Sequence, residues 1–103
     1  MELDDKVYSK DLIILDKGMI YPWWRQQGHL LQPQDLGEVI ESHCQLLIVG
    51  TGAHGMMVVP LSTRKFLEAR NIKFIIENTD KAVKIFNKRK QYQKVAAAFH
   101  LTC

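Results

Sequence analysis

Four consecutive apolar residues, Leu46-Leu47-Ile48-Val49, closed by Gly50-Thr51-Gly52, restrict this chain more than any other feature. A strand with one face in water alternates apolar and polar side chains. A run without alternation needs cover on both faces, as in a parallel sheet held between helix layers. The segments around it supply that cover. Before it, Pro33 suits a first helical position, Asp35 puts negative charge in the first turn, and Leu36, Val39, Ile40 and His43 recur at helical spacing. Gly37 weakens that helix by about 1 kcal/mol relative to alanine, so packing must hold it.

After the run, Ser62 reads as the N-cap of a second helix, with Leu61 and Phe66 as its hydrophobic staple. Asn71 suits the left-handed position that ends this helix, setting Ile72 against Leu67 in a Schellman motif. Residues 72–77 form a β run. Thr79 reads as the cap of a third helix, whose Ala82, Val83, Ile85 and Phe86 share an arc of about 160° and which ends near Lys90. Val95-Ala96-Ala97-Ala98-Phe99 is a last strand, and its small alanines suit a central position crowded by helices. Residues 1–31 lack helical periodicity: short apolar runs flank Asp16-Lys17-Gly18, a hairpin turn signal, and Pro22 stops the last of them.

Strands alternating with helices join most simply through right-handed crossovers. The expected fold is α/β: a three-layer sandwich whose central mixed, largely parallel β-sheet is flanked by helices, with an added N-terminal β-hairpin. At 103 residues the chain is expected to be one domain, residues 1–31 forming the N-terminal β unit and residues 32–103 the helix–strand repeats. Its 47% apolar and 24% charged residues exclude a disordered chain. Apolar runs far short of the roughly 20 residues of a membrane helix, acids at Glu2, Asp4 and Asp5 in place of a basic leader, and two cysteines predict a soluble, cytoplasmic protein without membrane insertion or a disulfide scaffold.

Charge is unevenly placed. Residues 1–80 balance at −3, whereas Lys81, Lys84, Lys88, Arg89, Lys90 and Lys94 give the remainder +6 with no acid. Such a stretch attracts acidic partners, membrane surfaces or nucleic acid. The plainer reading is a solvated helix end that complements the helix dipole. Nucleic acid is not expected, because no recognised motif and no stacking aromatics beyond Tyr92 accompany the cations.

Gly50-Thr51-Gly52-Ala53-His54-Gly55 matches G-x-G-x-x-G after a buried strand, and Glu77 stands where a ribose-binding acid would. One element fails: Met56-Met57-Val58-Val59-Pro60 intervenes before the next helix, so no helix N-terminus meets a pyrophosphate. No cofactor is expected. Gly50, Thr51, Gly52 and His54 remain candidates for a small anion or metabolite, since α/β folds place ligands at the carboxyl ends of parallel strands. Trp23, Trp24 and Arg25, beside His29, are the candidate interaction residues; adjacent tryptophans on an extended chain point to opposite sides, one inward and one outward. His100 and Cys103, with His43 and Cys44 elsewhere, lack the paired spacing of a metal site. No nucleophile elbow or triad is evident, so catalytic residues are not assigned; Cys44 reads as an inert packed thiol, and His54 is a lone acid–base candidate.

Trp23-Trp24-Arg25 followed by Gly28-His29, then Leu47-Ile48-Val49-Gly50-Thr51-Gly52, Val58-Val59-Pro60 and Ala98-Phe99-His100-Leu101-Thr102-Cys103, form an ordered set. Over residues 7–103 it resembles a small single-domain family of unknown function that includes the adipogenesis-associated domain protein and mitochondrial complex I assembly factor 3. The resemblance implies a three-layer α/β fold with a mixed sheet, no cofactor or established catalytic activity, and assembly or regulatory roles exercised through protein contacts. Gly50 and Gly52 fit that family's loop, while Gly55 lies outside its pattern and Asn71 stands where relatives tend to carry glycine. No mitochondrial address is expected from the acidic start of the sequence, so a mitochondrial role is not carried over. The expected function is a non-enzymatic protein–protein interaction or assembly module; the alternative is small-anion or metabolite binding, as an unrecognised enzyme among other forms, at residues 50–55.

Overall fold

Helices on both faces of one sheet explain the unbroken apolar strand. The structure, a computed structural model, describes residues 2–3, 6–7, 11–15, 20–23, 30–52, 54–91 and 93–100. Among them the chain forms β1 (Glu2–Leu3), β2 (Lys6–Val7), β3 (Leu12–Ile14), β4 (Ile20–Pro22), a 3-10 turn (Pro33–Leu36) leading into α1 (Gly37–Glu41), β5 (Leu46–Thr51), α2 (Leu61–Ala69), β6 (Lys73–Glu77), α3 (Thr79–Arg89) and β7 (Val95–His100). β1 and β2 pair as a two-stranded ribbon; the other five strands make one sheet in the order β4-β3-β7-β5-β6. β5 runs parallel to both β6 and β7, and β3 joins β7 and β4 antiparallel. The sheet is therefore mixed, with its parallel part at β7-β5-β6 and the hairpin built onto the other side. The hairpin's turn, Asp16-Lys17-Gly18, lies outside the described residues.

Alternate residues of the sheet feed two separate cores. Leu47, Val49, Ala96 and Ala98 face Leu36 and Val39 of the first helical segment and Leu67 of α2. Leu46, Ile48, Ala97 and Phe99 face Ala82 and Phe86 of α3. All six residues of β5, and all six of β7, are buried. The alanines of β7 let both helix layers approach this central strand, while Phe99 meets Phe86 edge-on at 5.9 Å between ring centroids. The α2 crossover steps outward from β5 to β6, and the α3 crossover steps back past β5 to β7. With both crossovers right-handed, opposite steps place their helices on opposite faces.

Three local expectations are corrected. Ser62 is not the cap of α2: extended Pro60 (φ −69°, ψ 161°) occupies that position, its carbonyl accepting from Thr63 N at 3.0 Å and Arg64 N at 3.2 Å. The cap thus lies two residues earlier than expected, and Leu61 is 65% exposed rather than stapled. Thr79 is not the cap of α3, because Asn78 Oδ1 accepts from Lys81 N at 3.0 Å and leaves the Thr79 hydroxyl for other partners. His43 falls off the apolar face of α1, which ends at Glu41; its φ of 54° turns it out to solvent.

The end of α2 follows the expected pattern. Asn71 has φ 59°, Asn71 N donates to Glu68 O at 3.0 Å, and Ile72 N donates to Leu67 O at 3.1 Å, the two bonds of a Schellman motif. Left-handed backbone costs an ordinary residue about 1–2 kcal/mol, whereas glycine and asparagine tolerate it. Asn71→Val should lower stability in urea unfolding by roughly that amount, and Asn71→Gly should leave it within about 1 kcal/mol of the parent.

Candidate functional site

In open α/β sheets the ligand crevice lies beyond the carboxyl ends of two neighbouring strands whose connections leave for opposite faces. Here those strands are β5, followed by α2, and β6, followed by α3. Gly50, Thr51 and Gly52 stand on one side of the crevice, and Thr79 stands on the other. Sequence reasoning thus placed its candidate loop at the topologically favoured spot.

The crevice is filled from within. A Cβ on Gly50 would lie 2.9 Å from Thr79 Oγ1, 3.0 Å from the Phe99 ring and 3.1 Å from Thr79 Cα, so glycine is required for α3 to approach β5 this closely. The Gly52 amide donates to Thr79 Oγ1 at 2.8 Å, and Thr79 N donates back to Gly52 O at 3.2 Å. The Thr79 hydroxyl in turn donates to the carbonyl of His100, which joins β7 to the same knot. Thr51 Oγ1 donates to Glu77 O at 3.1 Å. Downstream, Gly55 N donates to Gly52 O at 3.1 Å and Met57 N to Thr51 O at 3.0 Å, with Gly52 and Gly55 at φ 106° and 66°. A phosphate cradle needs several amides aimed outward. The amides of Gly52, Gly55 and Met57 are instead engaged by the loop and Thr79, and the next helix starts only at Leu61. His54 is exposed at the rim, and Ala53 lies outside the described residues.

Beside this knot sits a pair that sequence reasoning missed. Asp11 Oδ2 lies 2.7 Å from Nδ1 of His100, with side-chain exposures of 18% and 5%. The β3–β7 register puts Leu12 opposite Phe99, and one step further Asp11 faces His100. A carboxylate–imidazole pair does acid–base chemistry only when a reacting group reaches the ring. With the ring closed off from solvent, this pair ties the hairpin to the central strand.

Trp23 is the inward tryptophan. It is 7% exposed, and its indole Nε1 donates to Asp35 O at 3.0 Å, fixing the chain against the 3-10 turn. Asp35 closes that turn as well, its carboxylate accepting from Gln32 N at 2.9 Å. Burial withdraws Trp23 from the candidate interaction surface; Trp24 and Arg25 lie outside the described residues, as do His29 and Cys103. Exposed apolar side chains occur elsewhere, at Met56 (55%), Val58 (57%) and Leu61 (65%), while the alternating Met57 and Val59 enter the core. The run that separates the glycines from α2 therefore has one apolar side inward and one outward. Cys44 is buried, and that burial pushes its thiol up from the ordinary range, against smaller opposing effects of Ser42 and Lys94. Among the described residues no helix is long and apolar enough to cross a membrane.

A family model described as protein of unknown function (DUF498/DUF598) matches residues 1–100. Among solved structures, a conserved hypothetical protein from Pyrococcus horikoshii OT3 superposes with a TM-score of 0.88 at 25% identity, covering 98% of this chain and 90% of that chain. An outer membrane protein from Bartonella henselae superposes at 0.77 with 24% identity, covering 95% of this chain and 84% of that chain. A Bordetella parapertussis protein gives 0.79 at 18% identity, with 94% and 83% covered. These last two likenesses extend to the fold alone.

Two measurements probe this geometry. Thr79→Val leaves the Gly52 amide and the His100 carbonyl without their hydroxyl partner, so stability should fall by about 1–3 kcal/mol for each buried group stranded. Faster hydrogen exchange at Gly52 should accompany the loss, and Thr79→Ser should restore both. For Cys44, a folded-state pKa above the unfolded value means that the native state holds its proton longer as pH rises. The stabilisation is complete below the unfolded pKa and is lost as pH climbs through the folded one. Urea midpoints of the parent should therefore fall more steeply above about pH 9 than those of Cys44→Ala.

Proposed function

We propose that this chain, which belongs to the DUF498/DUF598 family, works as a non-enzymatic protein–protein interaction or assembly module. The observation that carries the reading is the exposed apolar row Met56, Val58 and Leu61. Folding buries the alternate residues of the same segment and leaves these three in water, a pattern that marks contact surfaces. The crevice packed by Thr79 supports the same reading, because the Gly52 and Gly55 amides are engaged within the protein. The sequence's resemblance to the adipogenesis-associated domain protein and to complex I assembly factor 3 adds support from a different direction, since those proteins act through protein contacts.

The test is capture from cells of the native source. Immobilised parent protein should retain one partner, and a variant combining Met56→Ser, Val58→Ser and Leu61→Ser should reduce retention at least about tenfold, as expected when interface anchors worth about 1–2 kcal/mol or more are removed. Trp24→Ala should also weaken capture. Thermal midpoints of both variants should stay close to that of the parent. Equal capture by parent and variants would refute the assignment.

A further inference from the structure

A groove of about 520 Å³ runs along the outer side of the sheet, lined by Ile75 of β6, by Ile85, Lys88 and Arg89 of α3, and by Gln93. It lies next to the strand that ends the sheet. β6 ends the sheet, and among the described residues it pairs only with β5. Sheet edges of this kind template a further strand. Its side chains are suited to one: Phe74, Ile75 and Ile76 are half-buried, Phe74 and Ile76 packing on the α2 side and Ile75 on the α3 side.

Resting on the reading of the chain as an interaction module, we propose that the edge of β6 accepts an extended segment of a partner protein as a sixth strand. That segment carries acidic side chains at every second position and β-branched apolar ones between. Side chains of an added strand alternate between the two faces. One set extends the Phe74 and Ile76 side, where apolar residues continue the half-buried surface. The other set overlies the groove, where acid stems cover Ile75 and Ile85 and their carboxylates reach Lys88 and Arg89. Both cations are exposed, and Glu77, the acid of β6, is already engaged by Lys81 at 3.6 Å.

Charge chooses among the possible occupants. Residues 73–94 hold seven cations against two acids, so a second copy of this edge would meet like charge. Nucleic acid would need a series of stacking aromatics; among the described residues of this stretch the α3 ring, Phe86, is 5% exposed and is covered by Lys90 at 5.6 Å. An acidic strand satisfies the backbone edge, the apolar floor and the cations together.

The probe is an acetylated seven-residue peptide alternating valine and glutamate, titrated to millimolar concentration into isotope-labelled full chain and followed by amide chemical shifts. Shifts should concentrate at residues 73–77 and 85–93, with intermolecular contacts between peptide α-protons and β6. A double variant, Lys88→Glu with Arg89→Glu, alters exposed side chains and should weaken binding at least about tenfold. A valine–lysine peptide should not bind, and raising salt should weaken the acidic peptide because exposed charge pairs are screened. The proposal is overturned by no shift at millimolar peptide, by equal binding of the lysine peptide or by shifts confined to other residues. It is equally overturned by tighter binding of oligothymidine at the same residues, or by a dimer in sedimentation that already covers β6. If the peptide fails while native capture still depends on Met56, Val58 and Leu61, the edge assignment falls and the interaction reading stands.

Discussion

The contact of Thr79 with Gly50 and Gly52 governs the rest of the molecule. It sets how near the start of α3 comes to the end of β5, and the absent side chain of Gly50 is what makes that distance accessible. One hydroxyl then serves three chain segments, accepting from Gly52, donating to His100, and sitting at the head of the helix that covers the second core. The buried Gly52 amide and His100 carbonyl are thereby satisfied from within the protein, as interiors demand. The same arrangement fills the location where α/β sheets of this topology most often hold a small molecule.

A fold whose crevice is filled by its own threonine has its exposed outer features left to act with. Function resides in sites rather than in architecture, and two such features remain accessible here. One is the apolar row that turns outward as the chain enters α2; the other is the cationic end of α3 beside β6, the edge strand among the described residues. They differ in chemistry, and salt acts on them in opposite ways: apolar contacts persist or strengthen in strong salt, while cation–carboxylate contacts between exposed groups fade.

Much of the architecture was legible because it is local. The unbroken run at Leu46 to Val49 demanded two covered faces, the alanines of β7 pointed to a crowded centre, and Asn71 with Leu67 and Ile72 marked a helix end that the backbone reproduces. The errors have one origin. Ser62 and Thr79 are residue types that favour caps, yet Pro60 already supplied the turn before α2, and the Thr79 hydroxyl is drawn to partners 21 and 27 residues away. The Asp11–His100 pair spans 89 residues and follows only from antiparallel register, which no periodicity encodes. The groove at Ile75 and Ile85 was hidden for a similar reason: both look like ordinary core residues until strand order leaves β6 at the margin. The glycine fingerprint falls at the end of β5, but its spacing carried no information about which hydroxyl would reach the Gly52 amide.

β7 lies in the middle of the sheet although it comes last in sequence among the described strands. On one side it pairs with β5, and on the other with β3, whose partners in the register are more than 80 positions distant along the chain. Neither helix layer has its full floor until residues 95–100 arrive. Distant pairings of this kind slow productive collapse, because a large entropic closure precedes the reward. During synthesis the flank of β5 awaiting β7 stays unpaired, an aggregation-prone interval in which a chaperone that shields bare strands would have most to offer.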